Sequence, residues 1–183
     1  FHRHFKGKVK TVTVRRKPSG KYFVSILVDD QKEPAKQAPI VAEQTIGIDL
    51  GLTHFLIDSD SNKTDNPRFL KASLEKLAKE QKIFARKKKG SNNRQKQKLK
   101  VAKVHESVAN QRLDFLHKFT ARLVFKNHAT SFAVEDLNVK GMVKNRKLSR
   151  SITDVSWSKF KELLSYKCAW TGKNLLEISR FEA

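Results

Sequence analysis

The sequence predicts an α/β fold. Three observations support this class: short apolar or alternating segments of strand length recur along the chain, a long helical period occupies its middle, and 38% of the residues are hydrophobic, enough to form a core. A length of 183 residues suits one ordinary domain, or one domain with a fragment of a second.

The N-terminal part predicts a β-hairpin. Residues 9–28 alternate in a strand-like pattern on both sides of a turn, with a basic outer face. Residues 29–44 contain two prolines and no periodicity, which is typical of a linker. We therefore divide the chain into domains 1–44 and 45–183.

The second domain begins with two short strands. Residues 45–52 form a mostly apolar run interrupted by Asp49, and residues 54–57 predict a strand after it. Asp, Ser and Asn at 58–62 are typical turn residues. The pattern favours a meander of neighbouring strands.

From Leu70 the pattern changes to a helical period. The first apolar face comprises Leu70, Leu74, Leu77 and Phe84, and a second, with a seven-residue repeat, comprises Ala102, Ala109, Leu116 and Leu123. The segment 90–93 separates the two faces, so we expect an antiparallel helical hairpin inserted at about 68–128.

The C-terminal third predicts two strands and a helix. Residues 130–134 form a short apolar strand that runs into Glu135, and residues 174–178 predict a last strand. Between them, Ser156 is expected to cap a helix that stops at Gly172. The apolar face of this helix comprises Trp157, Phe160, Leu164 and Cys168.

The charge of the chain limits the kinds of partner that it is expected to bind. It carries 39 Lys and Arg against 18 Asp and Glu, a net charge of +21, which favours an anionic polymer as the partner over a role in small-molecule metabolism. Neither a membrane-length apolar run nor a signal peptide is visible, so we expect a soluble cytoplasmic protein without a membrane partner. Cys168 is the only cysteine, which excludes an internal disulfide and a cysteine zinc cluster.

Two basic segments are candidates for nucleic-acid binding. The first surrounds the helical joint, with Arg86, Lys87, Lys88, Lys89, Arg94, Lys96, Lys98 and Lys100. The second lies in the polar stretch 137–153, with Lys140, Lys144, Arg146, Lys147 and Arg150. A merely solvated charged face is the alternative for both segments.

Asp49 and Glu135 are the candidate metal ligands. A carboxylate within an apolar strand costs several kcal/mol if it is buried without a partner, so each needs a reason. If the two strands are neighbours, both carboxylates lie at one end of the sheet, where Mg²⁺ or Mn²⁺ fits oxygen ligands. Two such ions about 4 Å apart would activate water and stabilise the leaving oxygen of a phosphodiester.

Other interpretations of the same residues stay open from spacing alone. Asp49 could begin a turn with Gly51, and Glu135 or Asp136 could cap a turn or pair with an Arg. Residues 47–51 also resemble the first phosphate loop of actin-like ATPases, although no second glycine-rich loop follows them.

A set of ordered segments carries a more specific resemblance. They are 47–51 (GIDLG), 66–69 (NPRF), 86–91 (RKKKGS), 110–118 (NQRLDFLHK) and 134–142 (VEDLNVKGM), followed by 151–157 (SITDVSW) and 166–170 (YKCAW). Together they resemble the TnpB family of transposon-encoded OrfB proteins, which are similar to type V CRISPR effector nucleases. The resemblance extends over residues 7–181.

The resemblance implies a RuvC-like nuclease domain with a ribonuclease H fold, preceded by the end of a wedge β-barrel domain. Family members bind a guide RNA from the transposon end, pair it with target DNA and cut that DNA with metals. Asp49 and Glu135 match the first and second catalytic metal ligands. The basic hairpin would contact the phosphates of the guide and target heteroduplex, in a protein expected near the prokaryotic nucleoid.

Two family features are missing from this sequence. The resemblance implies a zinc ribbon with two Cys-x-x-Cys pairs and then a third catalytic Asp, neither of which matches a residue here. Asp154 is expected to cap the helix near Ser156 instead, and Glu177 to lie on a strand surface. We therefore expect no zinc, an incomplete two-metal site, and little or no cleavage by these residues alone. The alternative is a catalytically dead RNA- or DNA-binding protein.

Overall fold

The computed structural model describes His4 and residues 6–179, and the side chain of Lys140 lies outside the described part. The strands are β1 Lys8–Arg16, β2 Tyr22–Asp29, β3 Thr45–Leu50, β4 His54–Asp58, β5 Lys63–Asp65, β6 Ser131–Glu135 and β7 Asn174–Ile178. The α-helices are α1 Phe69–Arg86, α2 Asn92–Lys126, α3 Val139–Met142, α4 Ser149–Val155 and α5 Trp157–Thr171. This mixture confirms the predicted α/β class.

The chain divides into two compact units. One, the hairpin unit, comprises Phe1–Glu33 and Ser73–Ala109, and the other, the sheet unit, comprises Pro34–Ala72 and Asn110–Ala183. Both long helices contribute to both units. Among the described residues, no helix combines the length and apolar character that a membrane span requires.

In the hairpin unit, β1 and β2 form the predicted antiparallel hairpin, with Val12 opposite Ile26. Its turn closes through a hydrogen bond from the Lys17 amide to the Lys21 carbonyl oxygen, 2.8 Å. The ammonium groups of Lys17 and Lys21 lie 3.6 and 3.3 Å from the carboxylate of Glu106, a buried residue of α2. These ion pairs fasten the hairpin turn to α2.

The turn favours the ionised form of Glu106. The Ser19 hydroxyl, followed by the Lys21 and Lys17 ammonium groups, lowers the pKa of Glu106 below its ordinary value, although burial opposes the shift. Because the pKa is lower in the folded chain than in the unfolded one, this contribution to stability is present above the unfolded pKa. It is lost as the pH falls through the folded pKa.

The sheet unit contains a five-stranded sheet in the order β5-β4-β3-β6-β7. The pairs β3–β6 and β6–β7 are parallel, whereas β3–β4 and β4–β5 are antiparallel. Phe55 of β4 packs edge-on against the rings of Phe115, Phe119 and Phe160, with centroids 5.2, 5.5 and 5.4 Å apart. This aromatic cluster joins the sheet to α2 and α5.

The seven-residue repeat predicted for α2 holds only in part. Leu116 and Leu123 are buried as expected, and so is Val108, which lies beside the repeat in the sequence, but Ala109 is exposed and Val104 is buried instead. A straight helix has 3.6 residues per turn, so a strict seven-residue stripe drifts around its surface. The buried face therefore follows spacings of three and four.

Two capping predictions were wrong. Ser156 precedes α5 in the left-handed conformation, and its hydroxyl donates to the Thr153 carbonyl oxygen rather than capping α5. The Asp154 carboxylate accepts the Leu70 amide at 3.0 Å, near the start of α1, and pairs with Arg112. Asp154 thus caps a helix that begins 85 residues earlier in the chain.

The predicted end of α5 at Gly172, with φ of 70°, is confirmed.

The Cys168 thiol is expected to react only after unfolding. It is 2% exposed in the face of α5 that also buries Phe160 and Leu164, and burial raises its pKa to about 11. The reactive thiolate is therefore scarce at neutral pH, and a thiol reagent in solution cannot reach the buried sulfur. Ellman's reagent should label native protein at least 100-fold more slowly than protein in guanidinium, at an order-of-magnitude level. Equal labelling rates would contradict the packing of α5.

Candidate metal centre and nucleic-acid interface

The strands that carry the two candidate carboxylates are neighbours. β3 and β6 lie next to each other at the centre of the sheet, with Gly47 opposite Ala133 and Ile48 opposite Val134. Both strands run in the same direction, so the next positions, Asp49 and Glu135, fall at the same edge of the sheet. The prediction that these two strands lie side by side is confirmed.

Alternation along β3 directs Asp49 away from the core. Ile48 and Leu50 are each 5% exposed, whereas Asp49 between them is exposed and Glu135 is half-buried. Successive side chains of a strand point to opposite faces, so the apolar neighbours of Asp49 face the core and Asp49 does not. Asp49 is therefore not buried, and the expectation that this carboxylate would need a partner to offset the cost of burial was wrong.

A cavity of about 360 Å³ lies on this face of the sheet. Both carboxylates line it, together with the small residues Gly47 and Ala133 and a third acid, Asp58. Asp58 is held in its own turn: Oδ1 accepts the Asn62 amide at 2.8 Å, and Oδ2 accepts the Asn62 side-chain amide at 3.0 Å. The sequence indicated a turn here but not that its acid would line the cavity.

Asp49 and Glu135 differ from the neighbouring acids in their lack of partners. Within the described residues, neither carboxylate forms a hydrogen bond or an ion pair. The proposed Asx turn is absent, since the Gly51 amide donates to the Phe55 carbonyl oxygen at 3.4 Å. Their oxygen atoms therefore remain available to a cation.

The acids that flank Glu135 are neutralised by one lysine. The Lys161 ammonium of α5 donates to Asp136 at 3.0 Å and to Glu177 at 2.8 Å. Burial alone would lower the pKa of Lys161, but these two carboxylates raise it above its ordinary value. Asp136 thus pairs with a lysine, whereas the alternative raised from the sequence was an arginine, and Glu135 has no counter-charge from this lysine.

Asp49 and Glu135 are the candidate ligands for a metal ion. Two unpartnered carboxylates at one sheet edge supply the oxygen ligands that Mg²⁺ and Mn²⁺ prefer. In the part of the chain that the structure describes, three or more His, Cys, Asp and Glu side chains do not gather at any one point as a metal site. Among the described residues, Asp49 and Glu135 are the carboxylates of this cavity that have no partner.

The first basic segment is mostly solvent-exposed, as a phosphate-binding surface must be. The exposed members are Arg86, Lys87, Lys88, Lys89, Lys96, Lys98 and Lys100. Arg94 is different: its guanidinium donates to the carbonyl oxygens of Phe84 and Lys87 at 3.1 and 2.8 Å and stacks on the Phe84 ring. Arg94 therefore closes the end of α1 and is less free to contact phosphate.

Helical geometry divides the lysines of α2 between two clefts of the hairpin unit. Lys98 lines a cleft of about 590 Å³ with Arg16 and Lys17 of the hairpin. Lys100 lines another of about 260 Å³ with Lys76 and Lys103. The sequence did not predict the partner cations from β1, the turn and α1, because they lie outside the continuous basic run of residues 86–100. The basic face of the β-hairpin was the available signal.

The second basic segment contains two short helices, α3 and α4, that polar composition did not predict. Its exposed cations are Lys144, Arg146, Lys147 and Arg150. The side chain of the remaining candidate, Lys140, lies outside the described part of the chain. Asn138 begins α3 by accepting the Gly141 amide at 2.9 Å, which orders the backbone that follows Glu135.

Neutralising Lys87, Lys88 and Lys89 to glutamine is expected to weaken binding to duplex nucleic acid. Each lost phosphate contact lowers the slope of log K against log salt by about 0.9, so three lost contacts lower it by about 2 to 3. Fluorescence anisotropy across a salt series measures this slope. The matched control replaces Lys32, Lys36 and Lys63, three exposed lysines outside both segments. Equal effects of the two triple variants would show that only net charge matters.

The chain is similar in sequence to several known proteins. The sequence profile of the OrfB proteins of IS605 type, described as "Probable transposase", matches residues 24–146. A "Putative RNA-guided DNA endonuclease" of Streptomyces pristinaespiralis is 42% identical over 171 residues, covering 93% of this chain and 41% of that protein.

Two further relatives support the same grouping. The "Putative RNA-guided DNA endonuclease InsQ" of Escherichia coli K12 is 34% identical over 192 residues, covering 96% of this chain and 46% of that protein. A "TnpB-like protein" of Methanocaldococcus jannaschii is 37% identical over 68 residues, 37% of this chain and 16% of that protein. The chain thus spans less than half the length of these relatives.

Proposed function

The chain belongs to the TnpB family, the OrfB proteins of IS605 type, and from this premise we propose that it is the RuvC-like core of a guide-RNA-directed DNA endonuclease. Its proposed partners are a guide RNA from the transposon end and target DNA. Its proposed cofactor is Mg²⁺ or Mn²⁺. The mixed sheet, with carboxylates on its two central strands, supports a ribonuclease H-like arrangement for this core.

One observation carries the proposal: Asp49 and Glu135 lie at the same edge of the sheet and have no other partner among the described residues. Such carboxylates repel each other unless a cation lies near both. In this proposal their oxygens hold the divalent ion. When bound, such an ion activates water and stabilises the leaving oxygen of a phosphodiester.

Other residues prepare this site. Lys161 neutralises Asp136 and Glu177, so these acids do not compete with Glu135 for the cation. The β3–β6 ladder fixes Asp49 and Glu135 on rigid strands, which limits the motion of their carboxylates. Lys144, Arg146 and Lys147, exposed in the same unit, supply positive charge for a phosphate backbone.

The test places a radical source in the proposed cation site. Fe²⁺ substitutes for Mg²⁺ at oxygen sites and, with ascorbate and peroxide, releases hydroxyl radicals that cut nearby nucleic acid. An RNA–DNA hybrid of about 20 base pairs is the probe, since family specificity rests on such a hybrid. We expect cuts confined to a few nucleotides of the DNA strand. This readout does not require a complete set of catalytic ligands.

The controls separate the site from general damage. Asp49→Asn and Glu135→Gln should each abolish the local cuts while the hybrid stays bound. Asp60→Asn, which removes an exposed charge in the turn after β4, should leave the cuts in place. Cuts spread evenly along the hybrid, or local cuts that persist in both site variants, would refute the proposed metal centre.

A further inference from the structure

The sheet unit carries a second large cavity that the proposed metal centre does not use. This groove of about 680 Å³ is lined along α2 by Phe115, Phe119 and Phe125, and by Phe69 at the start of α1. We call it the aromatic groove. Its volume lies within the range of small-molecule and cofactor pockets.

The aromatic groove is open to solvent at Phe125. Phe125 is 57% exposed, so its aromatic ring gives up much of the stabilisation that burial would bring. Phe115 and Phe119 stack on each other, with centroids 5.9 Å apart and rings inclined by 11°, and Phe115 also contacts Phe69 edge-on. Three of the rings are thus held in place, while the fourth is free to contact a ligand.

Basic side chains surround these rings. Lys118, Arg122 and Lys126 also line the groove, at intervals of four residues that place them on one side of α2. Lys118 is neutralised by Asp114 at 2.8 Å, whereas the guanidinium of Arg122 lies over the Phe119 ring, 5.2 Å from its centroid. Arg122 and Lys126 form no ion pair with a described acid. The lining therefore combines flat apolar rings with two uncompensated cations.

We propose that the aromatic groove binds an unpaired nucleotide of the nucleic acid that this chain carries. The base stacks against Phe125, and its phosphate contacts Arg122 and Lys126. Stacking on aromatic side chains beside a positively charged surface is how single strands are bound without sequence preference. The bases of an intact duplex are already stacked on one another, so their faces are not free for Phe125. This inference rests on the proposed function, because it needs a nucleic-acid partner.

Charge favours this occupant over a second copy of the chain. A second copy packed symmetrically on the groove would bring Arg122 and Lys126 against the same cations of its neighbour. The net charge of +21 adds to that repulsion, whereas a nucleotide brings a negative charge. An apolar segment of another protein would fill the rings but would leave both cations unused.

Anisotropy with two labelled probes tests the proposal on the 183-residue chain. The probes are a 15-nucleotide oligothymidine and a DNA duplex of the same length. Phe125→Ala is expected to weaken oligothymidine binding by about 5- to 10-fold. Duplex affinity and the salt slope should not change, because no charge is removed. Phe125→Trp should restore oligothymidine binding, since it restores the stacking surface.

The matched control is Trp170→Ala. Trp170 is 70% exposed on α5 and does not line the groove, so its loss should leave both affinities unchanged. Circular dichroism of each variant verifies that the fold is intact. A Phe125→Ala variant that keeps full oligothymidine affinity, or that loses affinity equally for both probes, would overturn the groove proposal.

Two further outcomes separate this inference from its premise. If Phe125→Ala has no effect while the Lys87, Lys88 and Lys89 variant still weakens binding, the groove proposal fails and the proposed function stands. If the wild-type chain binds neither probe, both fail. A Phe125→Ala variant that changes the sedimentation coefficient of the free chain, without loss of oligothymidine affinity, would make the groove a protein contact and overturn the proposal.

Discussion

Replacing Asp154 with alanine is expected to lower the free energy of unfolding by about 3 kcal/mol. The Asp154 side chain is 9% exposed and accepts a 2.6 Å hydrogen bond from the Arg112 guanidinium, which is itself 20% exposed. It also accepts the Leu70 amide near the start of α1. The variant leaves the arginine charge without a partner in a poorly hydrated place and removes a helix cap. The loss therefore exceeds that of an ordinary ion pair.

Urea unfolding monitored by circular dichroism measures this loss as a change of midpoint at constant slope. The control is Glu162→Ala, which removes an exposed ion pair with Lys159 that stabilises α5 by about 0.5 kcal/mol or less. Asp154→Asn should fall between the two variants, because the amide oxygen can still accept the Leu70 amide. An Asp154→Ala variant as stable as Glu162→Ala would show that the link between α4 and α1 is dispensable.

The regular elements could be predicted because each has its own local pattern. The strand 174–178 and the helix ending at Gly172 appear where periodicity and terminal residues indicated them. Helices α3 and α4 were missed, since their short polar segments have too few apolar positions to show a helical face. The role of Asp154 could not be predicted, because its partners Leu70 and Arg112 are distant in sequence and are brought near only by tertiary packing.

The candidate site could be predicted to the level of its strands. Two apolar strands, each carrying or ending in a carboxylate, were enough to anticipate the pair Asp49 and Glu135. Sequence could not show that Asp49 is exposed, because the direction of a side chain depends on which face of the sheet the helices cover. Nor could it show Asp58 at the same cavity or Lys161 between two acids. These positions depend on strand register and on the packing of α5.

Replacing Asp49 with asparagine is expected to weaken Mn²⁺ binding by about 100-fold or more. Loss of a group that merely supports a metal ligand costs 10- to 100-fold in affinity, so loss of a ligand lies at or beyond the upper end of that range. Glu135→Gln should have a similar effect, since Asp49 and Glu135 are the two carboxylates of this cavity without a partner among the described residues, whereas Asp58 accepts hydrogen bonds within its own turn. Stability should not fall in either variant, because neither carboxylate has a hydrogen bond to lose within the described residues.

We propose that Asp49 and Glu135 together form a divalent metal centre at the edge of the sheet. The most direct measurement is a titration of the chain with Mn²⁺, followed by the electron paramagnetic resonance signal of the free ion. We expect saturable binding by the wild type and by Asp60→Asn, with binding lost in Asp49→Asn and in Glu135→Gln. Equal binding by all four proteins would show that Asp49 and Glu135 do not form a metal centre.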